Sequence, residues 1–245
     1  MIRKIVIIFT IIPFSFYSFG VEQQKLSFHL KFGFFKAGES VLTISDTTFN
    51  GKPAIYYFQG VRTMGLIEHF FKLNDFYESI VNPENLLPYK SIRNVNQGNY
   101  HRYNEVLYFH GIDSILSQRS GKRAVPKNLV DILSVFFYFT NSGYLDKLNS
   151  GEIITIPVFN ADEITDVKIQ FEGFKTVKTG KGDIECYVIT PQTDKKKEIM
   201  GSNGLKFYIS KEKKLPVLFE FDMKIGVLRA ILKSYTVDGK EEVLN

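Results

Sequence analysis

The chain of 245 residues is basic, rich in aromatic residues and poor in cysteine. Its 31 Lys and Arg against 26 Asp and Glu give a formal net charge of +5, too small to indicate nucleic-acid binding. A single cysteine, Cys186, excludes a disulfide framework, so a packed core has to stabilise the fold alone. We expect one all-β domain, which is ordinary for a chain of this length.

The start of the chain has the pattern of a secretory signal peptide. Arg3 and Lys4 form a basic start, residues 5–19 are apolar, and small residues precede a cleavage site after Gly20. The apolar run is shorter than the roughly 20 residues that a membrane-spanning helix needs. We therefore predict cleavage, export to the periplasm and a single mature β domain of residues 21–245. A retained N-terminal anchor is the alternative.

An antiparallel meander is predicted at the start of the mature chain. Residues 26–34 alternate between apolar and polar side chains, the period of a strand with one buried face. A turn is expected at Ala37–Gly38, and Asn50–Gly51 has the composition of a hairpin turn. The path of residues 64–72 stays open between a short helix and a strand.

The second half of the chain has the pattern of strands alone. Turn residues separate its apolar segments, and Gly173 is among the predicted turns. The predicted strands are Ile153–Val158, Asp166–Phe171, Ile184–Thr190, Leu205–Ser210, Val217–Met223 and Val227–Tyr235. With the earlier strands they would leave long exposed edges in a flat sheet, so we expect the sheet to curve or close.

One long apolar segment, Asn128 to Tyr144, interrupts this β pattern. Its side chains leave almost no polar face, so a helix there has to be covered on most sides. Asn128 is the predicted N-cap, and Asn141–Gly143 is the predicted stop. The predicted fold is mainly β, a strongly curved antiparallel sheet or half-open barrel wrapped around one buried helix.

Three runs of the chain resemble a known family. They are Asp75 to Pro88 (DFYESIVNPENLLP), Asp131 to Phe139 (DILSVFFYF) and Phe207 to Leu232 (FYISKEKKLPVLFEFDMKIGVLRAIL). These runs resemble the exported bacterial family named domain of unknown function 3108. The resemblance implies a curved sheet like that of the periplasmic lipoprotein carriers (LolA/LolB-like) and implies no catalytic residue. The chain departs from the pattern at Thr140, where the resemblance implies an arginine.

No segment of the sequence indicates an enzyme. The G-x-S-x-G pattern of many hydrolases is absent, and Gly180–Gly182 lacks the spacing of a phosphate-binding loop. His101 and His110 fall on opposite faces of one predicted strand, which does not suit a metal site. Glu220 and Asp222 share a strand face, and a solvated sheet surface explains them more simply than acid–base catalysis does. We predict no catalytic residue, no metal and no cofactor.

The aromatic content leads to the first functional hypothesis. The chain has 23 Phe and 13 Tyr, which either fill a core or leave a groove between sheet and helix for an acyl chain. We predict a non-enzymatic periplasmic protein of envelope biogenesis that binds a lipid, lipoprotein or glycolipid in an apolar groove. The predicted ligand-binding residues are Phe32, Phe34, Phe136, Phe137 and Phe139.

Two alternatives stay open. An interaction or scaffold module of the envelope would have a filled core and would use a sheet edge or the hairpin of Tyr100 to His110. Separately, Tyr89, Tyr100, Tyr103 and Tyr108 suit stacking on a sugar or lipid headgroup, although surface aromatic residues on a solvated strand explain them equally well. An envelope hydrolase without a recognisable motif would need Asp, Glu or His side chains to converge in one cleft. A cavity of roughly 300 Å³ or more distinguishes a ligand groove from a filled core.

The predicted partners are a lipid or lipoprotein, with peripheral contact with the envelope membrane and no nucleic acid. The sequence does not decide the oligomeric state.

Overall fold

The computed structural model describes residues 22–180, 182–192, 202–223 and 226–244. The predicted signal peptide and its cleavage site lie outside this range. The strands are β1 (Gln23–Phe32), β2 (Phe35–Phe49), β3 (Lys52–Thr63), β4 (Asn74–Val81), β5 (Pro88–Gln97), β6 (Tyr100–Phe109), β7 (Ser114–Ser117), β8 (Gly121–Ala124), β9 (Val130–Asp131), β10 (Ile153–Asn160), β11 (Glu163–Thr179), β12 (Gly182–Gln192), β13 (Ser202–Ser210), β14 (Pro216–Met223), β15 (Gly226–Val237) and β16 (Lys240–Glu242). The helices are α1 (Leu66–Phe70) and α2 (Ser134–Asn141), with a 3₁₀ turn at His110–Ile112.

All of these strands belong to one large curved sheet. Its order is β8-β7-β6-β5-β4-β3-β2-β1-β15-β14-β13-β12-β11-β10-β9, and β16 pairs with β15. Neighbours are antiparallel except for β9, which runs parallel to β10. The sheet is not closed by hydrogen bonds between β8 and β9. The prediction of a mainly β fold with a curved antiparallel sheet is confirmed. In the described part of the chain, neither α-helix has the length and apolarity needed to cross a membrane.

The β1–β2 hairpin confirms the predicted burial of β1 but not the predicted position of the turn. Leu26, Phe28 and Leu30 are buried on one face of β1, as the alternation predicts. The strand ends at Phe32, however, and Gly33 makes the turn with a φ of 57°. The predicted turn at Ala37–Gly38 is wrong, because both residues lie in β2.

Gly38 has a packing role instead of a turn role. A Cβ atom there would lie 2.1 Å from the carbonyl oxygen of Arg62 on β3. Only glycine permits this close approach of the two strands.

The six strands predicted in the second half are all present, and most extend beyond their predicted bounds. Gly173 is not a turn, since β11 continues through it. The pairing with β12 shifts register between Phe171 and Gly173, and Gly173 has a φ of 127°. The glycine therefore marks a β-bulge, which bends a long strand without ending it. Residues 64–72, left open by the sequence, contain the short helix α1.

The predicted central helix is shorter than expected. α2 occupies only Ser134–Asn141, and Asn128 is not its N-cap, because its φ of 55° places it in a left-handed turn well before the helix. The intervening chain forms β9 instead. At the helix N-terminus the Asp131 carboxylate accepts hydrogen bonds from the backbone N–H groups of Leu133 (2.9 Å) and Ser134 (3.0 Å). The predicted stop is confirmed, since the helix ends at Asn141.

Helix α2 packs between two buried clusters. Leu133 and Phe137 belong to a first cluster built mainly on β1, β2, β12, β14 and β15, whereas Phe139 belongs to a second cluster built mainly on β10, β11 and β12. Strand β12 is buried on both faces, with Cys186 in the first cluster and Tyr187 in the second. Both faces of β12 are therefore covered by packed side chains.

The two halves of the sheet meet at the β10–β11 turn. Asp162 in that turn accepts hydrogen bonds at its Oδ1 atom from the hydroxyl groups of Ser117 (2.8 Å) and Ser120 (2.9 Å), beside the β7–β8 edge. The Arg123 guanidinium donates to the Asp162 carbonyl oxygen at 2.8 Å. One carboxylate therefore joins the far edge of the sheet to the β10–β11 hairpin.

We predict that Asp162→Gly destabilises the protein by about 1 kcal/mol, because it removes the acceptor that the Ser117 and Ser120 hydroxyl groups share and leaves Ser117 with only the longer hydrogen bond to Asn104 Oδ1 at 3.1 Å. Glycine suits the φ of 70° at this position, so the substitution removes the side chain without adding backbone strain. Urea unfolding measures the cost. The control is Ala161→Gly, in the same turn with a φ of 51°; equal destabilisation by both variants would show that the carboxylate contributes nothing.

Candidate functional site

Two of the predicted ligand-binding residues lie together inside the sheet. Phe137 is buried, and its ring stacks on that of Tyr57 from β3 with a centroid distance of 3.8 Å. Phe136 is half-buried and contacts Phe137 edge-on at 5.3 Å. The Phe136 ring also lies 6.2 Å from that of Phe207 and 6.4 Å from that of Phe219. The aromatic side chains therefore contact one another at the place where a groove was predicted.

The structure places the other three predicted residues elsewhere. Phe139 is buried in the second cluster, stacked on Tyr144 at 6.3 Å. Phe32 is half-buried at the border of the first cluster, where a Cβ on Gly226 would meet its ring at 3.0 Å. Phe34 lies in the β1–β2 turn and is wholly exposed. Its side chain does not belong to the interior, because Gly33 interrupts the alternation that placed Phe34 there.

Two pockets lie among the described residues, and neither is lined by Phe136 or Phe137. One is an interior cavity of about 20 Å³ beside Asp131, Ser91 and Arg93. Its volume suits about one water molecule and is far below the roughly 300 Å³ of a ligand site. The other is an open depression of about 270 Å³ on the outer face of β6 and β7.

A polar cluster at the start of α2 is the feature that sequence reasoning missed. The buried Asp131 carboxylate accepts hydrogen bonds from the hydroxyl groups of Ser79 (2.6 Å) and Ser134 (2.5 Å). Burial raises the pKa of Asp131, and the hydrogen bonds from Ser134 and Ser79 offset only part of that rise. The cluster joins α2 to β4. The Asp-x-x-Ser spacing was a usable signal for the capping contact, but nothing local points to Ser79, which lies 52 residues away.

Glu220, one of the two carboxylates that suggested acid–base chemistry, is bound by other side chains instead. Glu220 accepts hydrogen bonds from the Tyr208 hydroxyl at 2.6 Å and from Arg229 Nε at 2.7 Å. Burial raises the pKa of Glu220, but these two donors together lower it below its ordinary value. Glu185 is in an ion pair with Lys211 at 3.2 Å. Within the described ranges, no group of three or more His, Cys, Asp or Glu residues is arranged to hold a metal ion.

The tyrosines of the β5–β6 hairpin do not form one stacking surface. Tyr108 faces the interior and shares a hydrogen bond of 3.0 Å with Ser91, whereas Tyr89 stacks on Phe49 at 5.3 Å. Tyr100 is covered by the Arg102 guanidinium at 4.8 Å. Tyr103 alone reaches the outer depression.

A second feature missed from the sequence is a group of exposed phenylalanines at one end of the sheet. Phe34 and Phe35 lie at the β1–β2 turn, and Phe70 and Phe71 lie in the β3–β4 connection. We call this group the phenylalanine end. The strings FGFF and HFFK were visible in the sequence, but alternation assigned their rings to the interior or left them undecided.

The fold defines a β-barrel-like protein. A crystal structure described as a beta-barrel-like protein of domain of unknown function DUF1849, from Brucella abortus, is similar to this chain with a TM-score of 0.60 at 6% identity. The similarity covers 89% of this chain and 98% of the other. The chain belongs to the family described as protein of unknown function (DUF3108), whose model matches residues 27–233. The family predicted from the three sequence runs is thus confirmed.

Two other solved structures are similar at lower scores. A DUF1089 family protein from Pseudomonas aeruginosa has a TM-score of 0.35 at 10% identity, covering 78% of this chain and 87% of its own. A DUF1329 family protein from Desulfovibrio piger has a TM-score of 0.24 at 12% identity, covering 89% and 86%. Scores below 0.5 bear on neither fold nor function here. Among curated proteins, none matches this chain.

The raised pKa of Asp131 predicts the pH dependence of an Asn variant. Because the folded protein holds this proton more tightly than the unfolded chain does, the contribution to stability is full below about pH 4 and is lost as pH rises through the raised pKa. The free energy of unfolding of the wild type, relative to Asp131→Asn, should therefore fall as pH rises above about 4, the ordinary pKa of Asp.

Glu172→Gln serves as a control of opposite sign. A hydrogen bond from Lys206, then one from Thr190, lowers the pKa of Glu172. The wild-type advantage over this variant should be present above the ordinary pKa of Glu and should be lost as pH falls. Urea unfolding across the pH range measures both differences. A wild-type advantage over Asp131→Asn that grows with pH would contradict the assignment.

Proposed function

We propose that this protein is an exported, non-enzymatic interaction module of the cell envelope whose interior is a packed core. The observation that carries the proposal is the contact of the interior aromatic rings with one another, above all Phe137 on Tyr57 at 3.8 Å and Phe136 beside Phe207 at 6.2 Å. Rings in mutual contact occupy the volume that an acyl chain would need. The working surface is then the exterior of the sheet.

Export to the periplasm is supported by the first twenty residues. The basic Arg3 and Lys4, the apolar run that follows and the small residues Ser18 and Gly20 are the three parts of a secretory signal peptide. A single cysteine is compatible with this compartment because the fold has extensive buried clusters and does not depend on a disulfide.

A non-enzymatic role is supported by two carboxylates that are already bound by other side chains of the protein. Glu220 is paired with Arg229 and Tyr208, and Asp131 is buried among Ser79 and Ser134. A hydrolase needs acid and base groups that can reach a substrate in one cleft. Glu220 and Asp131 instead hold strands and the helix in place.

A lipid carrier is the second candidate function. It would bind a lipid, lipoprotein or glycolipid between the sheet and α2, as the sequence hypothesis states, after displacement of the helix. Phe136 favours this candidate, because its ring is only half-buried next to the fully enclosed Phe137. Truncating the Phe136 or the Phe137 ring distinguishes the packed interaction module from the lipid carrier, because the two functions predict different lipid yields.

If the core is packed, Phe137→Ala should cost about 3–5 kcal/mol of stability, because it leaves a cavity against Tyr57. Phe136→Ala should cost less, because that ring is half-exposed. Neither substitution should change the lipid that purifies with the protein. Urea unfolding gives the stabilities, and mass spectrometry of solvent extracts gives the lipid yield.

Phe139→Ala, on the same helix but in the second cluster, is the matched control for destabilisation alone. Lipid in the wild-type extract, with a yield that falls in Phe136→Ala and is unchanged in the control, would refute the packed core and establish the carrier.

A further inference from the structure

The phenylalanine end exposes more aromatic surface than folding explains. The exposed fractions are 103% for Phe34, 69% for Phe35, 87% for Phe70 and 51% for Phe71. Soluble monomers rarely leave several large apolar side chains together in water, and such groups mark protein or membrane contacts. Phe34 and Phe35 lie at the β1–β2 turn and Phe70 and Phe71 at the end of α1, so all four rings are at the same end of the sheet.

Hydrogen bonds hold these two connections together. The Met64 N–H donates to the carbonyl oxygen of Ala37 at 3.0 Å, which joins the start of α1 to the start of β2. On the other side, the Gly98 N–H donates to the Lys72 carbonyl oxygen at 2.8 Å. Ile67 packs on the first cluster and anchors α1. The rings of Phe70 and Phe71 are thus presented to solvent from a fixed base.

Basic side chains surround the rings. Among the charged side chains of these connections and the adjoining strand ends that reach solvent, four are cationic and two anionic, a balance of +2: Lys31, Lys36, Arg62 and Lys72 against Glu39 and Glu68. Glu39 is paired with Lys36 at 2.6 Å and with Arg62 at 3.4 Å. Lys31 and Lys72 have no ion-pair partner among the described residues.

We propose that the phenylalanine end binds the surface of an anionic lipid bilayer, with its aromatic rings in the headgroup and upper acyl region and Lys31 and Lys72 at the phosphates. Aromatic residues flanked by lysines are the composition of interfacial membrane binding. This inference rests on the proposed envelope interaction module and names its partner.

A bilayer fits these observations better than a protein partner does. Phe34 is wholly exposed at the tip of a hairpin, and Phe70 protrudes from a second connection. Separate protruding rings enter a fluid apolar phase without a matching pocket, whereas a protein would need a pocket for each ring. The net positive charge also matches the anionic headgroups.

Vesicle cosedimentation of the chain from Val21 onward, which contains every described residue, tests the inference. The probes are vesicles of phosphatidylcholine mixed with phosphatidylglycerol and vesicles of phosphatidylcholine alone, at about 0.15 M ionic strength. The wild type should bind the anionic vesicles more strongly. Phe34→Ser with Phe70→Ser should lower the partition coefficient by about tenfold per ring, since burying one ring is worth at least that factor. Lys31→Gln with Lys72→Gln should lower it by about fivefold per lysine on anionic vesicles only.

The matched control is Phe109→Ser with Ile112→Ser, two exposed apolar residues at the opposite end of the sheet. It should bind like the wild type. Absence of wild-type binding, equal binding by the Phe34/Phe70 variant or an equal loss in the control would overturn the inference. So would a wild type that binds no vesicle but self-associates through Phe34 and Phe70 in sedimentation velocity, which would assign this end to a second copy. These outcomes leave the packed core intact, because that proposal depends on the lipid yield of the Phe136 variant.

Discussion

The contact between α2 and the inner face of the sheet is the constraint on which the rest of this structure depends. Phe137 stacks on Tyr57 of β3, and Phe139 packs in the second cluster, which is built mainly on β10, β11 and β12. An apolar helix of eight residues is stable only when tertiary contacts cover it. The sheet supplies that cover by curving, and its far edge is then joined to the β10–β11 turn through Asp162.

The buried Asp131 carboxylate shows how polar groups are accommodated in this interior. It accepts two backbone N–H groups at the start of α2 and hydroxyl groups from Ser79 and Ser134. A buried carboxyl without such donors would be far more costly. The same bonds fix the helix to β4, so satisfying the carboxylate also sets the position of Phe137. A core arranged in this way is consistent with a module that acts through its exterior.

The sequence predicts the parts of this fold that depend on local pattern. Alternation located β1 and the six later strands, and the all-apolar segment located α2. Local pattern gave the wrong prediction where contacts between strands determine the structure. Gly38 is required by the close approach of the Arg62 carbonyl oxygen, and Gly173 forms a bulge rather than a turn. For the site, Phe136 and Phe137 lie together inside the sheet, but the pattern placed Phe34 inside as well, although that ring lies in water at a turn. Such a conflict between a residue and its environment is more informative about function than agreement is.

Amide hydrogen exchange of α2 tests the packed core most directly. The N–H groups of residues 138–142 bond within the helix and should exchange only when the whole protein unfolds, with an opening free energy equal to that of β4 and β12. Exchange of these amides at a much lower opening free energy, while β4 and β12 stay protected, would show that the helix leaves the interior on its own. That result would contradict the packed core and would favour a displaceable helix over a lipid groove.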